Sequence, residues 1–335
     1  MNARERTECG RKRRGFLRAC ARTLAAALAA AASATALAWP DQPITLVVPF
    51  TPGTGVDVMA RQFAPRLAAT LGQPVIVENV VGAAGTIGTE KVARARPDGY
   101  TLIVQSLSFV VSHVLYKGVK FDPLADFAPI SLVGWQSYVL VVPAALPVRT
   151  VADLLAAAAA APGKLTYATP GVGTAHHLAT AQLLQKAGVS MLHVPYKGTA
   201  GAVADLLGGR VDAMLLPASV VLPHVQAGRL TALATGSPQR LPQLPQVPTL
   251  GEARLDVGNL DLWYGFLAPK GTPAAVVERL NQAIAAAAVA PGFAAALDAQ
   301  GIVVQTSTAA AFARLLADEN ARWTDLVVRA GIRGE

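Results

Sequence analysis

The sequence predicts an α/β fold in two lobes with a ligand cleft between them, and three observations carry that expectation. Short β-branched runs alternate with helix-length amphipathic patterns almost throughout, as in successive βα units. Glycine-bearing loops follow several of these runs, at the hand-over from strand to helix. The pattern passes through a strand near Val142, restarts at Thr150 and returns as a strand near Leu262, so two βα blocks are joined by two strand-like crossings. A cleft between such lobes is the default place for a small ligand.

Ile44 to Val48 is the first predicted strand, apolar enough to be covered on both faces. Pro49 and Pro52 end it, because proline donates no backbone N–H. Gly53 and Gly55 let the chain turn and leave amides uncovered, and Asp57 falls in the first turn of a helix through Val58, Ala60, Phe63 and Leu67. A loop of this kind, at a strand end and a helix start, suits a small anion. Val75 to Val77 is a strand, Val80 to Gly88 a loop and Thr89 to Ala95 a short helix. After the Pro97-Asp98-Gly99 turn, Tyr100 to Gln105 is a strand, Phe109 to Leu115 a helix and Ser137 to Val142 a strand. Thr150 caps a helix that runs through an alanine tract to Ala161, with Asp153 in its first turn. Leu165 to Ala168, Leu192 to Val194, Val211 to Leu216 and Leu230 to Thr235 are strands. Helices between them reach Lys186, cover Val203 to Leu207 and stop at Gly228. Ser237 to Pro248 is a proline-rich loop, and Leu262 to Ala268 is the returning strand. Thr272 is the expected cap of a long helix opened by Pro273, and a last helix runs from about Ala309 to Ala330.

The first 38 residues stand apart. A basic cluster with Arg11, Lys12, Arg13 and Arg14 precedes a small apolar run, Leu24 to Leu37, and an Ala36-Leu37-Ala38 site just before Trp39. This is the layout of an export signal cleaved after about Ala38, and the run is short for a membrane span. Arg13-Arg14-Gly15-Phe16-Leu17-Arg18 matches a twin-arginine pattern except that Lys12 stands where Ser or Thr is usual, so both that route and the general one stay open. The segment holds eight of the 29 basic and two of the 21 acidic residues, which leaves 21 against 19 and a net charge of +2. A nearly neutral chain without basic runs is not expected to bind nucleic acid. Both cysteines, Cys9 and Cys20, are lost with the segment, as suits a large periplasmic protein that relies on its core.

Several motifs have a purely structural explanation beside the functional one. The Gly53–Asp57 loop could be no more than a tight βα turn. Gly82-Ala83-Ala84-Gly85-Thr86-Ile87-Gly88 has dinucleotide-like glycines, but it follows the second strand and its nearest acid, Glu78, lies before it. His176 and His177 are adjacent, whereas helical two-histidine metal sites use i and i+4, so no metal is expected. Neither a G-x-S-x-G string nor a phosphate-binding G-x-x-x-x-G-K-[ST] string occurs, and Ser106 alone is weak evidence for a nucleophile. Trp263 and Tyr264 fit either a core or a cleft lining.

The ordered motifs PITLVVPFTPG, LGQPVIVEN, GAAGTIG, VARARPDGYTL, PGKLTYATPGVGTAHHLA, VPYKGTAGAVADLLGGRVDAM, PHVQAGRLTALATGSPQRLPQLPQVPTLGEA and WYGFLAPKGTP resemble the Bug-type receptors of tripartite tricarboxylate transporters. The resemblance runs from about Trp39 to the C-terminus. It implies a two-lobed periplasmic binding fold of type II-like form, divided as an export signal at 1–38, a first lobe at 39–142 and 262–335, and a second lobe at 143–261. It further implies a monomer that binds a small carboxylate for a membrane transporter, without a cofactor, a metal or catalysis. The alternatives are a ligand-sensing partner of a signalling protein and a periplasmic hydrolase. Carried over residue by residue, the ligand site comprises Thr51, Gly53, Thr54, Gly55 and Asp57, then Gly82, Ala83, Ala84, Gly85 and Thr86 with Ser106. The second lobe adds Gly171, Gly173, Thr174, His177, Tyr196 and Lys197, and Trp263 belongs to the returning strand. Three departures stand out: Thr54 and Val172 replace the family's usual Gly and Asn, and Leu215-Leu216-Pro217 is apolar where relatives are often polar. Together they imply a less polar pocket, suited to an aromatic or short-chain carboxylate.

Overall fold

The computed structural model describes residues 39–333, so the expected signal lies outside the described residues. The account below concerns the unit that begins at Gln42. Its strands form one large sheet and two small ones. The large sheet contains β1 (Ile44–Val48), β2 (Val75–Asn79), β3 (Thr101–Gln105), β4 (Phe127–Gln136), β10 (Leu262–Pro269) and β11 (Ile302–Val304), in the order β11-β4-β10-β3-β1-β2. β1 is parallel to β2 and β3, whereas β10 runs antiparallel between β3 and β4. All eight residues of β10 are buried, as expected of a central strand covered on both faces.

Helices α1 (Gly55–Leu71), α2 (Thr86–Ala93) and α3 (Ser108–Leu115) follow β1, β2 and β3. α1 buries Val56, Met59, Ala60, Phe63 and Leu67 at helical spacing, and Gly72 ends it in the left-handed conformation. Phe63 meets Phe266 of β10 and Phe293 edge-on, with ring centroids 5.4 and 4.8 Å away. Burying one such ring contributes about 2–3 kcal/mol, and the paired geometry adds to it.

The second lobe holds the antiparallel sheet β8-β5-β9, formed by β5 (Tyr138–Pro143), β8 (Met214–Pro217) and β9 (Leu230–Thr235). Beside it lies the parallel pair β6 (Thr166–Thr169) and β7 (Leu192–Pro195). Its helices are α4 (Val151–Ala160), α5 (Ala175–Ala187), α6 (Thr199–Leu207) and α7 (Ala218–Gln226). The Thr150 cap is present as a full capping box with Asp153. α8 (Ala274–Ala288), α9 (Phe293–Asp298) and α10 (Ala309–Arg329) complete the first lobe.

Four expectations change. The strand expected at 137–142 lies at 138–143, where it pairs with β8 and β9. β4 escaped the sequence reading because Pro129 and Gly134 look like breakers; the register shift between Phe266 and Leu267 falls where Pro129 pairs. α2 starts at Thr86, three residues earlier than expected. Thr272 does not cap α8; its hydroxyl donates to Pro269 O at 2.8 Å.

The two crossings are fastened to each other. Ser137 Oγ lies 2.6 Å from Ser237 Oγ, which donates to both Asp261 carboxylate oxygens at 2.8–2.9 Å. Gly236 N donates to Tyr138 O at 2.7 Å. Burial raises the Asp261 pKa, although hydrogen bonds from Ser237 and Ser137 work in the opposite direction.

Candidate functional site

The first loop is built by Asp57. This carboxylate is buried and accepts from Gly53 N at 2.9 Å, from Arg61 Nε at 3.0 Å and from Asn79 Nδ2 at 2.9 Å. Burial opposes its charge, but the bonds from Arg61, Gly53 and Asn79 win and its pKa is lowered. Thr54 occupies the N-cap position without capping; its hydroxyl turns back to Thr51 O at 3.0 Å. The amides of Gly55, Val56 and Asp57 therefore precede the first intrahelical bond, Val58 N to Thr54 O, with no side-chain cap. That first turn carries the positive end of a 17-residue helix, equivalent to about half a charge. Gly55 has to be glycine, since a Cβ would stand 2.0 Å from Tyr264 Oη and 2.8 Å from Gln136 Oε1. Those two atoms are themselves joined by a 2.5 Å hydrogen bond donated by Tyr264.

The second loop is clamped to the first. Asn79, the last residue of β2, donates to Phe50 O at 3.0 Å as well as to Asp57. Gly82, Ala83, Ala84 and Gly85 all have positive φ, from 44° to 141°, so the loop is a tight left-handed turn leading into α2. Gly85 and Gly88 lie beneath Phe50 and Pro49, where a Cβ would come within 3.1 and 2.7 Å of neighbouring atoms. Thr86 Oγ1 returns to Ala83 O at 2.9 Å, which fixes the turn from the helix side.

In the second lobe, the loop between β6 and α5 is held by its own side chains. Thr174 Oγ1 accepts from His177 N and donates to Gly171 O at 2.8 Å. Gly173 N donates to His177 Nδ1 at 3.1 Å, which puts the ring proton on Nε2. His177 stacks on His193 at 4.0 Å, and His193 Nε2 lies 2.7 Å from Thr169 Oγ1. Burial lowers both imidazoles to about 4, with mutual repulsion adding to the shift at His177, so the pair is neutral near pH 7. The loop also touches the first lobe: Tyr116 Oη donates to Val172 O at 2.6 Å.

A family model described as the tripartite tricarboxylate transporter family receptor matches residues 59–332. The chain belongs to this family. It is 43% identical over 292 residues, 87% of each chain, to the UPF0065 protein in the tcbD-tcbE intergenic region of Pseudomonas sp. (strain P51). Solved relatives share the two-lobed periplasmic binding fold. The periplasmic binding protein BugD is 34% identical, with a TM-score of 0.81 over 89% of this chain and 100% of that one. Rpa4515 of R. palustris, solved with adipate, is 33% identical with a TM-score of 0.82 over 88% and 99%. MatC of Rhodopseudomonas palustris, solved with malate, is 31% identical with a TM-score of 0.79 over 86% and 100%.

Within this receptor, the predicted site residues fall into three groups. Thr51, Gly53, Thr54 and Gly55 share one turn, and Gly82, Ala83, Ala84, Gly85 and Thr86 form the turn packed against it. Gly171, Gly173, Thr174 and His177 form the third turn. Other residues are placed differently from the expectation. The Asp57 side chain is used within its own loop, and the Gly53 amide, expected to be open, is bonded to it. Trp263 is fully buried and meets Phe312 edge-on at 5.6 Å, so it is a core residue; it is Tyr264, on the opposite face of β10, that reaches Gly55. The Tyr196 hydroxyl donates to Asp205 at 2.7 Å, and Lys197 is exposed. Ser106 is buried where β3 gives way to α3. Leu215, Leu216 and Pro217 are buried throughout in β8.

Sequence reasoning missed Arg61, Asn79, Gln136 and Tyr116. The i,i+4 spacing of Asp57 and Arg61 was a readable signal for the first. The others meet their partners only through long-range pairing.

Proposed function

We propose that this receptor is exported to the periplasm, captures a small carboxylate between its lobes without converting it, and passes it as a monomer to a membrane transporter. The lobes are residues 42–136 with 262–333, and residues 137–261. The observation that carries the reading is the uncapped first turn of α1, held in place by Asp57 and backed by Tyr264. Backbone amides at a helix start grip a carboxylate without needing a paired cation. The clamped Gly82–Thr86 turn forms the adjoining wall, and the loop from Gly171 to His177 closes from the second lobe. Adipate and malate in the relatives' structures support a carboxylate as the ligand class. MatC and Rpa4515 were solved with different acids on this fold.

The test is a thermal-shift panel of mono- and dicarboxylates, followed by calorimetry and recovery of the ligand. A bound acid at about a hundred times its Kd should stabilise the fold by about 2.7 kcal/mol and be recovered unchanged. A panel in which no carboxylate raises Tm would overturn the reading, and chemical turnover of the acid would replace the receptor with an enzyme.

A further inference from the structure

Tyr138 and His176 lie where the two lobes meet, and the network above leaves both unused. Tyr138 opens β5 immediately after the Ser137 crossing and is fully buried. His176 is the second residue of α5, directly after the turn that touches Tyr116. Their rings meet edge-on, 5.0 Å apart. The phenol oxygen of Tyr138 and Nε2 of His176 are both buried without a hydrogen-bond partner. A buried hydroxyl or imidazole nitrogen in that state destabilises the fold. Most buried polar groups are satisfied, so two orphans on touching rings call for an explanation.

Their surroundings supply one. Gln136, two residues before Tyr138, accepts from Tyr264, whose hydroxyl stands beneath Gly55 at the open turn of α1. One member of the orphan pair is thus two residues from the contact that backs the α1 amides, and the other adjoins the turn held by His177. Both groups are uncharged: burial raises the Tyr138 pKa, with Tyr264 adding to it, and burial lowers His176 to about 4. No carboxylate, lysine or arginine contributes to either shift. A phenol can donate and a neutral imidazole can donate or accept, which matches a hydroxyl group rather than a second carboxylate.

We infer that Tyr138 and His176 form the seat for a hydroxyl on the ligand, so that this receptor selects hydroxy acids over their unsubstituted analogues. The inference rests on the carboxylate reading and narrows it. A site built to bond a hydroxyl rejects the analogue that lacks it, because its own polar atoms then stay unpaired.

The experiment is calorimetry with acid pairs that differ by one hydroxyl: malate and succinate, lactate and propionate, mandelate and phenylacetate, 3-hydroxybutyrate and butyrate. The expected result is at least one pair in which the hydroxy acid binds about tenfold tighter. In Tyr138→Phe and in His176→Leu that ratio should collapse toward one. A ligand-free measurement accompanies it. Tyr138→Phe removes an unpaired buried hydroxyl, so the Tm of the free variant should rise by about 2 °C. Acids that bind without hydroxyl preference, or a preference that survives both substitutions, would overturn the seat and leave the carboxylate reading standing. A fall in the Tm of free Tyr138→Phe would also overturn it, because the hydroxyl would then be satisfied. If no acid in the panel binds, the carboxylate reading fails and the seat fails with it.

Discussion

Asp57 works by shaping a loop. Its carboxylate holds Gly53 N, Arg61 and Asn79 beside a first helical turn whose amides have no side-chain cap. Asp57→Ala should therefore lower stability by about 2 kcal/mol and weaken acid binding together, read by denaturant melts and calorimetry. The pH dependence has a definite sign. The folded pKa is depressed, so the contribution is complete above the ordinary carboxylate value and is lost as pH falls through the depressed one. Gly55→Ala is a sharper probe. Alanine is the better helix former, yet its Cβ would strike Tyr264 Oη and Gln136 Oε1, two atoms already bonded to each other. The expected outcome is a loss of about 1–3 kcal/mol and displacement of the helix start, measured by the same melts. Glycine at position 55 was legible in the sequence as a turn signal. The reason it has to be glycine was not, because Tyr264 is contributed by a strand 209 residues later in the chain.

At the scale of elements, the turn between β6 and α5 depends on two neutral imidazoles. Each has its pKa lowered to about 4 from 6.5, so the unfolded chain takes up protons first as the solution is acidified. Stability is complete above about pH 6.5 and declines toward pH 4, and the Tm should fall across that window. His177→Gln, whose amide oxygen can still accept from Gly173 N, should flatten the decline while keeping the turn. The ring pairing was invisible in the sequence, where His193 is sixteen residues from His177. Strand and helix types were largely legible, because β-branched runs and capping signals are local. β11, three residues long, was not, since it exists only by pairing with β4.

For the whole molecule, the contacts between lobes occur at different depths. Near the crossings Gln136 Nε2 donates to Ser219 Oγ at 2.8 Å, and farther out Tyr116 reaches Val172 O. Tyr116→Phe removes one hydrogen bond and keeps the ring, so the ligand-free protein should sample wider lobe separations. Small-angle scattering should then give a larger radius of gyration than the parent, with ligand dissociation about fivefold faster. The two-lobed fold was legible because the βα pattern restarts, whereas β4 was not, since Ser137 alone separates it from β5. The central position of β10 has a consequence for biogenesis. The ribosome makes β3 and β4 long before it makes the strand that separates them. Until residues 262–269 emerge, both neighbours present bare hydrogen-bonding edges and the first lobe has no finished core. The nascent chain thus cannot lock into its final form until most of it has been synthesised, which leaves the half-built sheet open to a chaperone throughout that interval.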